Sequence, residues 1–593
     1  MRYFPIVILS SIFCLAQVTQ ANSATAVRSV PATLDLTDHA LASINFLTRQ
    51  PDRKQGFLPY FWTFFGEGPP EMRHNHWDYT ENPGRNLYGL IAARQVTGSL
   101  EGSEEERLYE KEIYSRMRQA GHGLTWRPAY SPFGRTKGLP EMNLWDNRSQ
   151  FMGLLSLYMQ YEQPEVKVKL EAMIDGLERY GIRKGKYFFF EREDILLGHR
   201  VNKNHEPRVS QHSTGWITPL IEYYKLTGSE RAKNLAVGLA NFTKDYHHTS
   251  VKPGRTLGIS NVHGALFGLA GVIRTASVTG DRERLEWARS LVDFAAQNLA
   301  SSFGWVQEME GRDWMRPEDS HSTESCAIVD MIQCALLLTD AGYPQYWDLV
   351  ERYVRNYFTE AQLMDSGWMK ASGVRKDNVS STWTDVAERV RGCFVGWGAP
   401  NDWVDETGRL RNAIQNCCAP HGSWGIFLIW RRLVQSDSTS VSVNLALNGE
   451  HTECRVASYL PYQGRVDVVM YRDAALNVRI PEGVDKYQVK CTVNGGVVDS
   501  GWDGDYLTLS GVATLDTVSV SWPQQYATTT EEIDGTTYTV QWKGRTVIAL
   551  DPPGRVRPLF QRSHFRADNP PMKTEFDPEF RGVIDRGLNH IQW

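Results

Sequence analysis

Between about 35 and 435 the apolar residues recur with helical rather than strand periodicity, and the pattern itself repeats. The segment LYGLIAARQVTGSLEGSEEERLYEKEIYSRM, 87–117, predicts an apolar helix, a Thr-Gly turn and a second helix. FMGLLSLYMQYEQPEVKVKLEAMIDGLERYG, LIEYYKLTGSERAKNLAVGLANFTKDY, LAGVIRTASVTGDRERLEWARSLVDFAAQNL and MIQCALLLTDAGYPQYWDLVERYVRNYF repeat that arrangement. The turns fall near 98, 163, 228, 280 and 341, which is 52 to 65 residues apart. Each first helix is almost wholly apolar and each second one amphipathic, so the first belongs inside and the second outside. With helices near 40 and at 424–434 as a further pair, the hairpins can close into an (α/α)6 barrel. An open helical solenoid is the alternative, but the irregular repeat length and long connecting loops favour closure. Such loops gather at the barrel mouth, where a site would sit.

Beyond about 440 the period changes to alternation. VSVNLAL, RVDVVMY, LNVRIPE, KYQVKCTVNGG, YLTLSG and DTVSVSWP read as short strands, and TYTVQWKGRTVIAL as a hairpin around Lys543-Gly544. These observations predict a multidomain chain of α and β parts: an (α/α)6 barrel catalytic domain over 30–435 and a β-sandwich over 440–560. The tail, 561–593, has little periodicity and is expected to run across another domain.

One basic residue, an apolar run over 3–16 and then small residues mark 1–26 as a secretory signal peptide. The expected product is secreted or periplasmic. No later segment reaches the roughly 18 apolar residues of a transmembrane helix. The net charge of −5 leaves no basic footprint for nucleic acid or anionic membrane. Nineteen Trp and 25 Tyr suit either a large core or stacking on sugar rings.

Of eight cysteines the signal removes Cys14, and seven are a poor disulfide framework. Cys417 and Cys418 are adjacent in RNAIQNCCAPHGSWGIF, just before an apolar helix, where a mutual disulfide would be strained. Upstream, in HSTESCAIVDMIQCALLL, Glu324 and Cys326 stand two apart where a loop leads into an inner helix. An extended lead-in lets both turn toward one ion. Glu324, Cys326, Cys417 and Cys418 therefore make a candidate tetrahedral Zn²⁺ set. The alternative is that Cys326 and Cys334 are packed core thiols and the vicinal pair is incidental.

E-S-C-A opening one helix, with C-C about ninety residues later at the start of the last, resembles glycoside hydrolase family 127, the β-L-arabinofuranosidases. That family places its acid/base glutamate sixteen residues before the glutamate of its E-x-C element, and Glu308 stands sixteen before Glu324. SNVHGALFGLAGVIRTASVTGD and QHSTGWITPLIEYYKLTGS resemble family helices and place His263 and His212. The resemblance implies Cys417 as nucleophile and Glu308 as acid/base. It implies Glu324, Cys326, Cys417 and Cys418 as zinc ligands, and His212 and His263 as sugar-binding residues. The implied reaction is hydrolysis with retention through a thioglycosyl intermediate, on a carbohydrate substrate. Glu310 competes with Glu308 for the acid/base role. The loop 73–86, RHNHWDYTENPGRN, gathers His74, His76, Trp77, Asp78 and Glu81 and is expected either to line the pocket or to cap a helix.

The chain departs from the family at Val306-Gln307-Glu308, where the usual text is His-Gly-Glu, and at Ala419-Pro420-His421-Gly422, where Pro-Pro-Asn follows the cysteines. The metal and nucleophile pattern is kept while the sugar-contacting text differs, so a related furanose of a plant or algal polysaccharide joins β-L-arabinofuranose as expected substrate. Two other readings remain. One is a carboxylate-based enzyme on the same barrel, such as an unsaturated uronyl hydrolase, a lyase or an epimerase. The other is a non-catalytic glycan-binding protein with structural zinc.

Overall fold

The computed structural model describes residues 27–65, 68–118, 121–134, 138–251, 256–311, 322–369, 373, 375–404, 413–576 and 593. The signal peptide expected at 1–26, with Cys14, and residues 577–592 of the tail lie outside the described residues.

The helical part contains α1 (Leu36–Arg49), α2 (Asn82–Thr97), α3 (Ser103–Met117), α4 (Leu144–Tyr161) and α5 (Pro164–Tyr180). It continues with α6 (Gln211–Thr214), α7 (Ile217–Thr227), α8 (Glu230–Asp245), α9 (Val262–Thr279) and α10 (Arg282–Asn298). The last four are α11 (Ser325–Asp340), α12 (Tyr346–Tyr353), α13 (Val386–Val390) and α14 (Cys418–Leu433). The Thr-Gly signals are helix ends: Gly98, Gly228 and Gly280 cap α2, α7 and α9 in the left-handed region, with φ of 65°, 72° and 69°. Side chains of Asn143, Ser229, Asn261 and Asp281 cap the starts of α4, α8, α9 and α10.

The apolar helices pack in a closed cycle: α2 on α4, α4 on α7, α7 on α9, α9 on α11, α11 on α14, and α14 back on α2. Outside them, α3, α5, α8, α10 and α12 lie each on the helix that precedes it in its hairpin, and α1 covers α2 and α14. α9 is apolar and long enough to cross a membrane, but most of it is buried within this ring. The inner helices also bury polar side chains, among them Arg85, Arg148, Asp330 and His421.

Two glycines set how closely the inner helices approach. A Cβ on Gly84 would lie 2.3 Å from the Ser149 carbonyl oxygen, and one on Gly89 would lie 2.7 Å from Pro420 Cα. The obstacle at both is backbone, which cannot swing aside. Gly84→Ala is expected to cost about 1–3 kcal/mol by overpacking. Thermal melting of the variant checks this, and an unchanged melting temperature would contradict it.

Among the described residues from Val434 onward the main elements are strands. One sheet has the order Val434–Ser436, Ser440–Val443, Ala474–Arg479, Tyr506–Val512, Gly501–Asp503. A second has the order Gly449–Glu450, Cys454–Ser458, Gly464–Met470, Thr517–Trp522, Lys490–Val493, Gly496–Val497. Gly464–Met470 alternates buried and half-buried side chains along its length, as a strand with one covered face does. A third sheet joins Tyr526–Ile533, Thr536–Lys543 and Thr546–Asp551, with the expected hairpin turning at Gly544. Val27–Pro31, the first described strand, pairs antiparallel with Met572–Phe576, the last. Helical and strand parts are joined by the buried carboxylate of Glu351, which binds Arg355 at 3.0 Å and Arg479.

A small antiparallel sheet runs into the cysteine pair. Its order is Ser381–Thr382, Glu71–Arg73, Trp62–Phe64, Ala413–Gln415. Trp62 sits opposite Gln415, two residues before Cys417. These strands are only two or three residues long and come from distant parts of the chain, which left no periodic signal in the sequence.

Candidate active site

Cys417 caps α14 in helical conformation (φ −63°, ψ −24°) and Cys418 is the helix's first residue. Neighbouring helical side chains diverge by about 100°, and a third sulfur fills the angle between them. The Sγ atoms of Cys326, Cys417 and Cys418 all lie within 4.8 Å of one another, with Cys326 and Cys418 3.5 Å apart. That separation is far beyond the roughly 2.05 Å of a disulfide. All seven described cysteines are free and buried.

Glu324 stands just before α11 in extended backbone (φ −115°, ψ 138°), and Cys326 is the second residue of that helix. The Glu324 Oε2 lies 4.0 Å from Cys418 Sγ, while its Oε1 accepts from Asn261 Nδ2 at 3.1 Å. The four residues singled out as ligands are therefore together in the structure. Three thiols and one carboxylate, all buried and converging, could hold one metal ion.

The charge around them is arranged by α2. Arg85 is buried and forms an ion pair with Glu81, Nε to Oε1 at 2.8 Å. Its Nη1 reaches Cys326 Sγ at 3.7 Å and the Cys417 carbonyl oxygen at 3.5 Å. Burial works against that charge, but Glu81 and the nearby thiol charges hold Arg85 protonated. A second buried guanidinium, Arg148, lies 3.7 Å from the Trp145 ring centre and 4.4 Å from that of Phe267.

By the protein's own groups, the three thiols differ. Hydrogen bonds from Cys326 and Cys418 bring Cys417 down to about 6. Burial pushes Cys326 up to about 12 and Cys418 well above the usual thiol range. Cys417 also heads a helix, where the N-terminal dipole favours a thiolate. Glu324 is held well above the usual carboxylate range, by burial first and then by the Cys326 and Glu308 charges.

Glu308 is half-buried, and its Oε1 accepts from Trp397 Nε1 at 3.1 Å. Glu310 has a different task. It is buried, and its carboxylate accepts the backbone N–H groups of Thr256 and of Leu257, the latter at 2.7 Å. Glu310 thus holds the segment leading toward α9.

His263 lies under Arg85. Its Nδ1 faces Asp330 Oδ2, and its Nε2 is 3.3 Å from Arg85 Nη2. An arginine only donates, so Nε2 accepts, the ring proton sits on Nδ1, and Asp330 Oδ2 accepts it. Asp330 Oδ1 meets His421 Nε2 at 2.8 Å, and His421 Nδ1 meets the Tyr88 hydroxyl at 3.0 Å. Burial, then the neighbouring positive charges, keeps both imidazoles well below their usual value and so neutral. His212 is part-buried, with Nε2 2.9 Å from Ser210 Oγ and Nδ1 3.8 Å from Glu193 Oε2. Neither contact ties His212 to the thiols.

The loop 73–86 divides its residues. His74 is buried between Asp78 (2.6 Å) and Asp52 (3.3 Å) and is stacked on Tyr60, so it braces the loop. Asn75 and Asp78 form a capping box. Trp77 packs on Phe61 beside the cysteines, and Glu81 holds Arg85.

Arg85, Asp330, His421, Trp62 and Trp397 were not singled out from the sequence. For three of them a signal exists: Asp330 is four residues after Cys326, His421 four after Cys417, and Arg85 four after Glu81. That is the spacing of one helix face. Trp62 and Trp397 had no such mark.

No protein-family model matches the chain, and no curated protein matches it. Solved structures do. A GH127 β-arabinofuranosidase superposes with a TM-score of 0.57 at 14% identity, covering 88% of this chain and 85% of its own. The GH127 β-L-arabinofuranosidase from Geobacillus stearothermophilus T6 gives 0.56 at 15% identity, covering 86% and 80%. Another glycoside hydrolase gives 0.56 at 13% identity, covering 88% and 83%. The chain has the fold of the GH127 β-arabinofuranosidases, at a distance in sequence.

Proposed function

We propose that this chain is an exported, retaining glycoside hydrolase that removes β-L-arabinofuranose, or a related furanose, from plant or algal polysaccharide. On this reading the helical ring is an (α/α)6 barrel, the strand sheets after it form a β-sandwich, and 1–26 is a cleaved signal. The observation that carries the reading is the convergence of Cys326, Cys417, Cys418 and Glu324 over a buried arginine.

Zinc fits that donor set. A Zn–S bond of about 2.3 Å puts tetrahedral corners about 3.8 Å apart, and Cys326 and Cys418 stand at 3.5 Å. Zinc, when bound by Glu324, Cys326, Cys417 and Cys418, supplies charge that keeps the thiols deprotonated in a buried site. Cys417 Sγ attacks the anomeric carbon as the glycosidic C–O bond breaks, and Glu308 gives its proton to the departing oxygen. Glu308 then takes a proton from water, whose oxygen attacks the anomeric carbon while the C–S bond breaks and the thiolate returns. Two displacements at one carbon retain its configuration. His212, with a part-buried ring, is assigned to a sugar hydroxyl. His263, whose two nitrogens face Asp330 and Arg85, orients that arginine beneath the site.

Hydrolysis of 4-nitrophenyl β-L-arabinofuranoside, followed by proton NMR, tests this. The first-formed sugar is expected to keep the β configuration, with about one zinc per chain by elemental mass spectrometry. An inverted product, or zinc-free active protein, would sink the proposal. Glu308→Gln is expected to lose roughly 10²–10⁴-fold in rate on a methyl glycoside. Equal activity of that variant would move the acid/base role elsewhere.

A further inference from the structure

We infer that Trp397 is the positioning residue of the Glu308 carboxyl, and that its stack on Trp62 ties the acid/base to the strand that leads into Cys417. The inference rests on the acid/base role proposed above for Glu308.

Trp397 Nε1 carries a hydrogen and no lone pair, so at 3.1 Å from Glu308 Oε1 it can only donate. A hydrogen bond donated to Oε1 engages that oxygen's lone pair and disfavours protonation there. The proton to be transferred is thereby given a fixed place, which general acid catalysis requires.

Trp397 is itself held from both sides. Before it, the Val395 carbonyl accepts from Ser325 N at 3.1 Å and from Ser325 Oγ at 2.8 Å. After it, Gly398 and Thr323 exchange backbone hydrogen bonds of 2.9 and 3.0 Å. Glu308 N donates to the Ser322 carbonyl at 3.0 Å. The segments carrying Glu308, Glu324 and Trp397 are thus laced together by backbone bonds. Gly398 allows the close passage, since a Cβ there would stand 2.7 Å from the Tyr357 hydroxyl.

The indole of Trp397 stacks on Trp62, with ring centres 5.3 Å apart and planes 20° from parallel. Trp62 pairs with Gln415, whose Oε1 is 3.9 Å from Cys417 Sγ. Trp62 also meets Phe61 and Trp77, and these rings pack on the cysteine cluster. A rigid aromatic bridge therefore runs from the proton donor to the nucleophile, and both rings of its stack are half-buried rather than sealed in the core.

A leaving group separates this role from a structural one. Methoxide departs only if protonated, whereas 4-nitrophenolate leaves without help. Trp397→Phe keeps a ring for the stack and removes the N–H. Its kcat/KM on methyl β-L-arabinofuranoside is expected to fall about tenfold or more, with a much smaller fall on the 4-nitrophenyl glycoside. Trp397→His, which restores a ring N–H, is expected to recover part of the methyl activity. Zinc content and melting temperature of both variants report on the fold. Equal losses on the two glycosides, or a histidine variant no better than phenylalanine, overturn the inference. Glu308→Gln measured alongside separates the two ideas. If it discriminates between the leaving groups and Trp397→Phe does not, only the inference fails. If Glu308→Gln itself does not discriminate, the acid/base reading fails and takes the inference with it.

Discussion

Cys417→Ser is expected to lose at least roughly 10⁴-fold in kcat/KM, the scale on which removing a nucleophile acts when its whole machinery depends on it. The reason is local. Cys417 heads α14, lies over the Arg85 guanidinium and is the one thiol of the three drawn down, to about 6. A serine hydroxyl in the same place is far harder to ionise, and oxygen binds a soft thiolate-type site less well. The loss alone would not separate nucleophile from ligand, so the measurement is paired with trapping. Wild type mixed with the 4-nitrophenyl glycoside and quenched in acid is expected to carry one pentosyl group on the peptide containing Cys417. A pentosyl group on Glu308 or Glu324 would replace the thiolate mechanism by a carboxylate one. A serine variant with substantial activity would do the same.

Removing the metal is expected to have the second largest effect. Glu324→Ala or exhaustive chelation should release zinc, abolish turnover and lower the melting temperature. Thiolate-rich sites bind zinc with about 10–16 kcal/mol of apparent free energy, and binding to the folded state alone is stabilisation. Without the ion, burial drives Cys326 to about 12 and Cys418 higher, so these two revert to neutral thiols while Cys417, at about 6, keeps its charge beside Arg85. Differential scanning calorimetry with and without chelator, then with zinc returned, is the measurement. Full recovery on adding zinc is expected. A chelated protein that melts and turns over like the untreated one would show that the four residues hold nothing the protein needs.

Much of this was legible in the chain because it is written in short-range patterns. Five apolar–amphipathic helix pairs, three of them joined at a Thr-Gly, announce hairpins, and Gly98, Gly228 and Gly280 do end helices in the left-handed region. Alternation after 440 announces strands, and Val466 and Val468 do face Val520 and Val518 across the second sheet. Glu324 and Cys326 flank a helix start, and Cys417 and Cys418 another, so the pairing of two helix beginnings at one point needed only that both inner helices run the same way.

The main helices, the strands after 440, the apolar faces and the residue types that offer donors to a soft metal could be read along the chain. These follow from side-chain spacing, turn chemistry and donor type, all local properties. The spacing to Glu324 favoured Glu308 over Glu310, and only packing shows their different surroundings: Glu310 is engaged by the backbone of Thr256 and Leu257, while Glu308 meets an indole 89 residues away. Packing also determined that His263 faces Arg85 and Asp330, that Trp62 and Trp397 meet, and that the first and last described strands pair. Such contacts join residues separated by tens to hundreds of positions, and they form because packing a closed ring brings its loops to one end. No periodicity along the chain encodes that meeting; it is set by how the helices pack.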